Sequence, residues 1–183
     1  MGPRRYLRLL LVSMARGPRM DPHDVLTVQR RVWPGDLDEL RHVNNGVYLS
    51  MLDLPRLELL QRAGLWGRMR AAGVYPVVAA QTIAYRKSLK LWQRFIIESR
   101  ILGYDERAVF LEQRFVVDGE VYARAYIVGR FLRRTGGVVP MSEVGAIAGV
   151  DPAAWPVEGW LTQWARDVAL PSTRQPAPSV WPA

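Results

Sequence analysis

The sequence contains no cysteine, only two histidines and no apolar run of membrane-spanning length. Without cysteine there are no disulfides, thiol nucleophiles or cysteine-ligated metals, and the protein fits the cytoplasm. His23 and His42 offer too little for a familiar metal centre, so we expect neither a metal nor another cofactor. The apolar stretch at residues 6–15 is interrupted by Arg8 and falls short of the roughly 20 residues that cross a bilayer. These absences point to a globular protein whose chemistry needs neither thiols nor a metal.

Acidic residues are also absent from the first twenty positions, where five arginines stand, and the whole chain carries a net charge of +8. We expect a basic amphipathic segment over residues 1–23. Two placements stay open for it: docking on the protein body, or resting on an anionic membrane surface. The second placement would bring a cytoplasmic protein to the inner face of a membrane.

What is present suits a single domain, since 183 residues and 49% hydrophobic composition support one sizeable core. Residues 24–32 alternate between apolar and polar, which predicts a half-buried strand. Residues 44–64 carry leucines at helical spacing, with Asn44 or Asn45 as N-cap and Gly64 as the stop. Pro55 lies inside this segment and should kink or split the helix, because proline has no N–H to donate.

The second half of the body, up to residue 134, is rich in strands. Residues 76–89, 94–106 and 107–134 are apolar and β-branched, and Asp118-Gly119 is typical of a type I′ hairpin turn. A long helix followed by antiparallel hairpins predicts an α+β fold with the helix on one sheet face. Residues 135–170 predict one or two short helices, with Trp155, Trp160, Trp164 and Leu161 available for docking. Residues 171–183 are rich in proline and serine and are expected to be disordered.

The stretch "GDLDELRHVNNGVYL" (residues 35–49) places many polar side chains directly before the predicted helix. The first turn of a helix offers unpaired N–H groups and a partial positive charge. Such donors can hold a carbonyl oxygen while water or a carboxylate attacks its carbon. We therefore expect Asp38 to act as general base or nucleophile beside the helix start at Asn44-Asn45-Gly46. The alternative is that Asp38 only forms a turn by bonding its own backbone, as we expect of Asp36.

The order of elements, with "DLDELRHVNNGVYL", "RLELLQRAGL" and "YRKSLKLWQRFIIESRILGYDERAVFLEQRFV", resembles the hotdog-fold acyl-thioester hydrolases. That family includes the 4-hydroxybenzoyl-CoA and plant acyl-ACP thioesterase types and the small thioesterase superfamily member proteins. The resemblance implies a long helix wrapped by a curved antiparallel sheet. It also implies a homodimer, joined sheet edge to sheet edge, with the active sites in the interface. A dimer of dimers stays open, and the implied substrate is an acyl-CoA or an acyl-ACP.

Residue by residue, Asp38 matches the catalytic aspartate of one branch of this family. His42 matches a histidine of the plant acyl-ACP enzymes, but Leu40 stands where those enzymes have asparagine. His42 is therefore either catalytic or a brace for the loop. Asn45 would supply a main-chain N–H for the oxyanion, or its side chain would cap the helix. Asn44 is either a brace or a substrate contact.

A second candidate group is basic and follows the first predicted hairpin strand. The resemblance implies that these cations meet the phosphates of coenzyme A near the mouth of the acyl tunnel; they are Arg86, Lys87, Lys90 and Arg94. The alternative is that they only form a solvated strand edge. Asn44 and Gly46 are further candidates for substrate contact. Neither a helix-turn-helix nor an RNA-recognition pattern accompanies these cations, so we expect no nucleic-acid partner. The competing function is a non-catalytic binder of acyl thioesters or lipids at a membrane surface.

Overall fold

A computed structural model of the protein describes residues 17–180 and shows a sheet with helices on both faces. Its elements, in chain order, are β1 (Leu26–Arg31), α1 (Asn45–Arg62), α2 (Leu65–Ala71), β2 (Val74–Tyr85), β3 (Arg94–Tyr104), β4 (Val109–Val117), β5 (Glu120–Arg133), β6 (Val138–Val139), α3 (Met141–Ala148) and α4 (Gly159–Asp167). Short 3₁₀ turns lie at Pro34–Asp36 and Pro152–Ala154.

The sheet is antiparallel and has the strand order β1-β3-β4-β5-β2, with β6 paired to the end of β5. Asp118 and Gly119 join β4 to β5 and both have positive φ, at 49° and 80°. Positive φ at both central residues is the mark of a type I′ turn, which confirms the predicted hairpin. The α+β prediction is therefore confirmed.

Helix α1 lies on the inner face of the sheet and forms the main core with it. Leu52 and Leu59 are buried there, as are Leu26 and Val28 of β1, in agreement with the predicted periods. The helix runs unbroken through Pro55, so the split is wrong as one of the two predicted outcomes, and the kink stays a prediction. A proline removes one intrahelical hydrogen bond, and the burial of the residues around it keeps the two halves together.

Helix α2 was not predicted from the sequence. Gly64 ends α1 in the left-handed conformation, φ 72°, as the stop signal indicated, and α2 begins at the next residue. Leu65 and Met69, four positions apart, are the two buried residues of α2. Seven residues with a central glycine, Gly67, carry too weak a helical period to be recognised without that packing.

The outer face of the sheet is covered by the C-terminal extension, as the predicted short helices indicated. Leu161 of α4 is buried against Ala108, Phe110 and Val128, and Trp164 packs beside them. The extension thus completes a second, smaller core on the side opposite α1.

The ends of the chain are described only in part. The helix predicted within residues 1–23 falls largely on residues 1–16, which lie outside the described residues, and residues 17–23 form no helix. Residues 171–180 form neither helix nor strand and are exposed, and the predicted disorder of the tail stays a prediction. Among residues 17–180, no helix has both the length and the apolar character needed to cross a membrane.

Candidate active site

The polar stretch before α1 folds into a closed loop, residues 36–44. The N–H of Asp38 donates to the carbonyl of His42 at 2.8 Å, and the N–H of Asn44 donates to the carbonyl of Asp36 at 2.9 Å. These two cross-loop bonds return the chain to the start of α1. The loop therefore carries Asp38 on the segment that leads directly into the first helical turn.

The carboxylate of Asp38 is half-buried and turns back onto the loop. Its Oδ1 accepts the N–H groups of Leu40 at 3.0 Å and His42 at 3.1 Å. Its Oδ2 has no hydrogen-bond donor among the described residues. The turn-forming role and the catalytic role are thus not exclusive, because one oxygen fixes the side chain and the other is available for chemistry.

Most N–H groups in the first turn of α1 are already engaged. Asn44 is the N-cap: its side-chain oxygen accepts the N–H of Gly46 at 2.9 Å. The carbonyl of Asn44 accepts the N–H groups of Val47 at 2.9 Å and Tyr48 at 3.2 Å. In the part of the chain that the structure describes, the N–H of Asn45 has no acceptor. Asn45 is therefore the residue whose main chain is available to a carbonyl oxygen, whereas the amide of Gly46 serves the cap.

His42 lies at the exposed rim of the loop. Its carbonyl accepts the N–H of Asp38, and its N–H donates to the Asp38 side chain. These bonds correspond to the bracing role considered for His42. Its ring makes no hydrogen bond to residues 17–180. Over the same range, no three His, Cys, Asp or Glu side chains cluster as metal ligands would.

Two tyrosines that the sequence analysis did not select adjoin the helix start. The hydroxyl of Tyr85, at the end of β2, donates to the carbonyl of Asn45 at 3.2 Å. Its ring meets that of Tyr48 edge-on at 5.2 Å, and the Tyr48 hydroxyl accepts the N–H of Leu89 at 3.1 Å. Burial raises the pKa of both phenols, so both are neutral at physiological pH. The helix start is thereby held against the β2 end and the β2–β3 connection.

The four predicted basic residues divide into two pairs. Arg86 and Lys87 both donate to the carboxylate of Glu120 at 2.6 Å. The two hydrogen bonds, that from Lys87 first, lower the pKa of the Glu120 carboxyl. Lys90 and Arg94 are exposed, and within the described residues no carboxylate pairs with them. Among the described residues, Lys90 and Arg94 therefore keep both positive charges for an anionic ligand, whereas Arg86 and Lys87 keep one between them.

A buried polar chain crosses from α1 into the sheet, and the sequence analysis did not anticipate it. Gln113 of β4 is fully buried and donates to the Ser99 hydroxyl at 2.8 Å and to the Leu52 carbonyl at 3.2 Å. Arg56 of α1 donates to the Gln113 side-chain oxygen at 2.7 Å and pairs with Asp53 one turn earlier. Partial burial raises the pKa of the Asp53 carboxyl, and the Arg56 charge opposes that rise.

This chain of polar groups ends at the mouth of an apolar cavity of about 210 Å³. The cavity lies between α1, α2, the inner face of the sheet and α3. Its lining is Asp53, Arg56, Leu57, Leu59, Leu60, Leu65, Met69, Pro76, Val77, Val78, Ile101, Tyr104, Val109, Leu111, Ile127, Gly129, Phe131, Met141, Val144, Gly145, Ala148, Val150 and Pro152. The exposed members of this lining are Asp53 on α1 and Val78 on β2, so the mouth opens between that helix and that strand.

Asp38, His42 and Asn45 are not part of that lining. Asn45 and Asp53 are eight positions apart on one helix, which is about 12 Å along its axis. Asp38 thus lies in the loop that leads into α1, Asn45 lies in the first turn of that helix, and the cavity mouth lies farther along the same helix. The sequence indicated Asp38 and Asn45 but contained no signal for the cavity, whose walls come from segments far apart along the chain.

Comparison with known proteins gives the family. Residues 32–164 match the family model described as the Thioesterase-like superfamily, which is most of the chain and includes the loop before α1. Two curated relatives are both named Protein THEM6. The relative from Xenopus laevis is 41% identical over 99 residues, which cover 54% of this chain and 48% of that protein. The relative from Danio rerio is 37% identical over 128 residues, which cover 68% and 63%. The matches thus span about half to nearly two thirds of those relatives.

Among solved structures, YbaW, a probable thioesterase from Escherichia coli, superposes with a TM-score of 0.63 at 25% identity. The match covers 67% of this chain and 95% of that one. The helix wrapped by an antiparallel sheet is therefore the hotdog fold, as the resemblance implied. On the strength of the family match over residues 32–164, this chain belongs to the Thioesterase-like superfamily.

Proposed function

We propose that this protein hydrolyses acyl thioesters carried by coenzyme A or acyl carrier protein. The proposal rests on one arrangement: the N–H of Asn45 is unengaged among the described residues, and it follows a loop that fixes the carboxylate of Asp38 by one oxygen only. Membership of the Thioesterase-like superfamily supports the reaction type, and so does the fold shared with the probable thioesterase YbaW.

In the proposed reaction the thioester carbonyl oxygen accepts the N–H of Asn45, where the partial positive charge of the α1 start favours a developing oxyanion. The Oδ2 of Asp38 either takes a proton from an attacking water or attacks the carbonyl carbon to give an anhydride that water then opens. In both routes the carbon–sulfur bond breaks, the thiol leaves with a proton and the fatty acid is released. No cofactor is required, since coenzyme A enters only as part of the substrate.

The acyl chain would occupy the apolar cavity, and its carrier would lie outside. Apart from Asp53 and Arg56 at the mouth, the lining is almost wholly apolar, which suits a hydrocarbon chain and not a nucleotide. Lys90 and Arg94 remain available for the phosphates of coenzyme A or for the acidic surface of a carrier protein. Arg86 and Lys87 share the single negative charge of Glu120, so we give them a smaller part in binding than the sequence analysis did.

We further propose that the protein acts as a homodimer joined through β2. This strand is twelve residues long and pairs with β5 on one side only within the described chain. Tyr85 at its end contacts the α1 start, and Val78 lies at the cavity mouth. A second subunit paired along β2 would therefore border both the reacting group and the cavity. It would cover the stretch of about 12 Å that separates them along α1. We also propose that the basic segment predicted over residues 1–23 binds an anionic membrane surface in the cytoplasm.

The test of the reaction is Asp38→Asn, assayed by thiol release from acyl-CoAs of several chain lengths. The amide keeps an oxygen for the N–H groups of Leu40 and His42, so the loop stays folded while the basic oxygen is lost. We expect kcat to fall at least about a hundredfold, the scale for losing a catalytic base. Asp105→Asn is the matched control, because Asp105 also bonds two loop N–H groups at 2.7 Å yet has no part in the proposed reaction. Equal kcat in parent and Asp38→Asn would overturn the assignment.

The competing function is an acyl-thioester binder that does not turn its ligand over. It is favoured by the use of Asp38 Oδ1 within its own loop and by Leu40 at a position where the plant enzymes carry asparagine. The same thiol-release assay separates the two functions. Saturable binding of acyl-CoA with no thiol released at any chain length would establish the binder and exclude the hydrolase.

A further inference from the structure

One end of the apolar cavity is closed by α3, which lies beyond the sheet in the sequence. The lining from this region is Met141, Val144, Gly145, Ala148, Val150 and Pro152. The four members that belong to α3 are all buried. The exposed members of the lining lie on α1 and β2, so the α3 segment walls a part of the cavity that lies away from the mouth.

This wall is fixed at both ends of α3. At its start the N–H of Met141 donates to the carbonyl of Glu106 at 3.0 Å. At its end the guanidinium of Arg68 donates to the carbonyl of Ala148 at 2.6 Å. A cation on α2 and the loop after β3 therefore hold the two ends of the helix.

The middle of α3 packs closely on the segment that follows it. A Cβ placed on Gly145 would lie 2.6 Å from the carbonyl oxygen of Val150 and 2.6 Å from the ring of Pro152. The helix thus packs directly on the segment that follows it. Close-packed backbone of this kind does not yield to a growing ligand, so the wall sets a firm limit to cavity length.

The cavity volume then gives the length of the chain segment that the cavity holds. A cavity of about 150 Å³ in another protein accommodates benzene, so by proportion about 210 Å³ accommodates roughly eight carbon atoms. The reacting carbonyl at Asn45 lies about 12 Å along α1 from the mouth, so the part of an acyl chain nearest the carbonyl lies outside the cavity. We infer that α3 is the end wall of the acyl site and that Met141, Val144 and Ala148 set the longest acyl chain that the site accepts. This inference rests on the proposed function for its substrate, but the wall itself is a property of the cavity.

The first test measures kcat/KM for butyryl-, octanoyl-, palmitoyl- and icosanoyl-CoA. In the parent, palmitoyl-CoA should be favoured over butyryl-CoA at least tenfold, because a butyryl group held at Asn45 is too short to reach the cavity. Val144→Ala should shift the preference towards longer chains, and Ala148→Leu, which fills the cavity, should shift it towards butyryl-CoA. Val117→Ala is the control, since Val117 is buried in the same core but does not line the cavity. It should leave the chain-length ratio unchanged.

The second test does not depend on turnover. Thermal stabilisation by octanoic, dodecanoic and hexadecanoic acid is measured for the parent and the same three variants. If thiol release is absent but Val144→Ala and Ala148→Leu move the fatty-acid preference in opposite directions, the wall stands and the hydrolase proposal fails. If turnover is present and neither variant moves the chain-length preference, the wall is overturned and the hydrolase stands. Folding of Ala148→Leu is checked by circular dichroism. If Ala148→Leu does not fold, Val144→Ala alone decides between these outcomes.

Discussion

At the scale of single residues, Tyr104 joins three parts of the chain. It ends β3, lines the apolar cavity and shares a hydrogen bond of 3.1 Å with His23 Nε2. The His23 ring in turn stacks on Trp155 with ring centres 3.9 Å apart. Tyr104 thus connects the segment before β1, the sheet and the C-terminal extension. Burial, aided by the charge of Asp21, raises the pKa of Tyr104 to about 12.

This raised pKa makes stability depend on pH in the alkaline range. The folded protein keeps the proton of Tyr104 up to about pH 12, whereas the unfolded chain loses it near its ordinary value of 10.0. Its contribution is therefore complete below pH 10 and lost as the pH rises through 12, about 2–3 kcal/mol in all. Tyr104→Phe should cost about 1 kcal/mol at neutral pH for the lost hydrogen bond. It should also show a shallower decline above about pH 10 in urea unfolding. Parallel declines in both proteins would contradict this.

The residues that could be predicted from sequence are those whose partners are close along the chain. Asp38 bonds residues two and four positions ahead, and the cap of Asn44 reaches two positions ahead, so the short stretch contains its own geometry. Arg56 and Gln113 are 57 positions apart and meet only because α1 crosses β4. The pairing of Glu120 with two cations similarly depends on β2 lying beside β5. Spacing along the chain contains no sign of such contacts.

At the scale of elements, the β4–β5 turn depends on the backbone conformation of one glycine. Gly119 has φ 80°, a conformation that residues with a Cβ adopt at a cost, and nothing lies within 4 Å of a Cβ built there. The glycine is therefore required by the backbone and not by crowding. This is why the Asp-Gly pair could be recognised in the sequence.

Gly119→Ala should lower the free energy of unfolding by about 1–2 kcal/mol, the cost of a left-handed residue with a Cβ. Gly67→Ala is the matched control, because Gly67 lies inside α2 with equally open surroundings and carries no positive φ. Alanine there should be neutral or should stabilise by up to about 1 kcal/mol. Chemical denaturation of both variants checks the pair. Equal effects would mean that backbone conformation is not the cause.

At the scale of the whole molecule, β2 is the edge on which the proposed assembly depends. An edge strand of this length leaves a row of N–H and C=O groups open to pairing, and natural proteins usually protect such edges. Here the side chains along β2 are all uncharged, and Val78 and Tyr75 are among the exposed apolar residues of the protein. An edge without charged residues fits a strand that pairs with a second subunit.

Val78→Lys should therefore shift the molar mass measured by light scattering from dimer towards monomer. Lysine on an edge strand opposes pairing because its charge must be desolvated or repelled at the joint. Val25→Lys is the control: Val25 is also exposed, directly before β1 on the opposite edge of the sheet. That variant should keep the parent's mass. A monomeric parent protein, or a dimer in both variants, would rule out assembly through β2.

The cover that α4 provides bears on where this protein can be shortened. Phe110 and Val128 point away from the main core and are shielded from water by Leu161 of the same chain. A version ending at residue 134, the limit of the predicted hotdog body, would leave a strip of bare hydrocarbon on the back of the sheet. It would also lose the cavity wall that α3 forms. Such a fragment would aggregate through its exposed apolar surface, and its cavity would be incomplete. Helices α3 and α4 are therefore integral to the fold and not a dispensable extension.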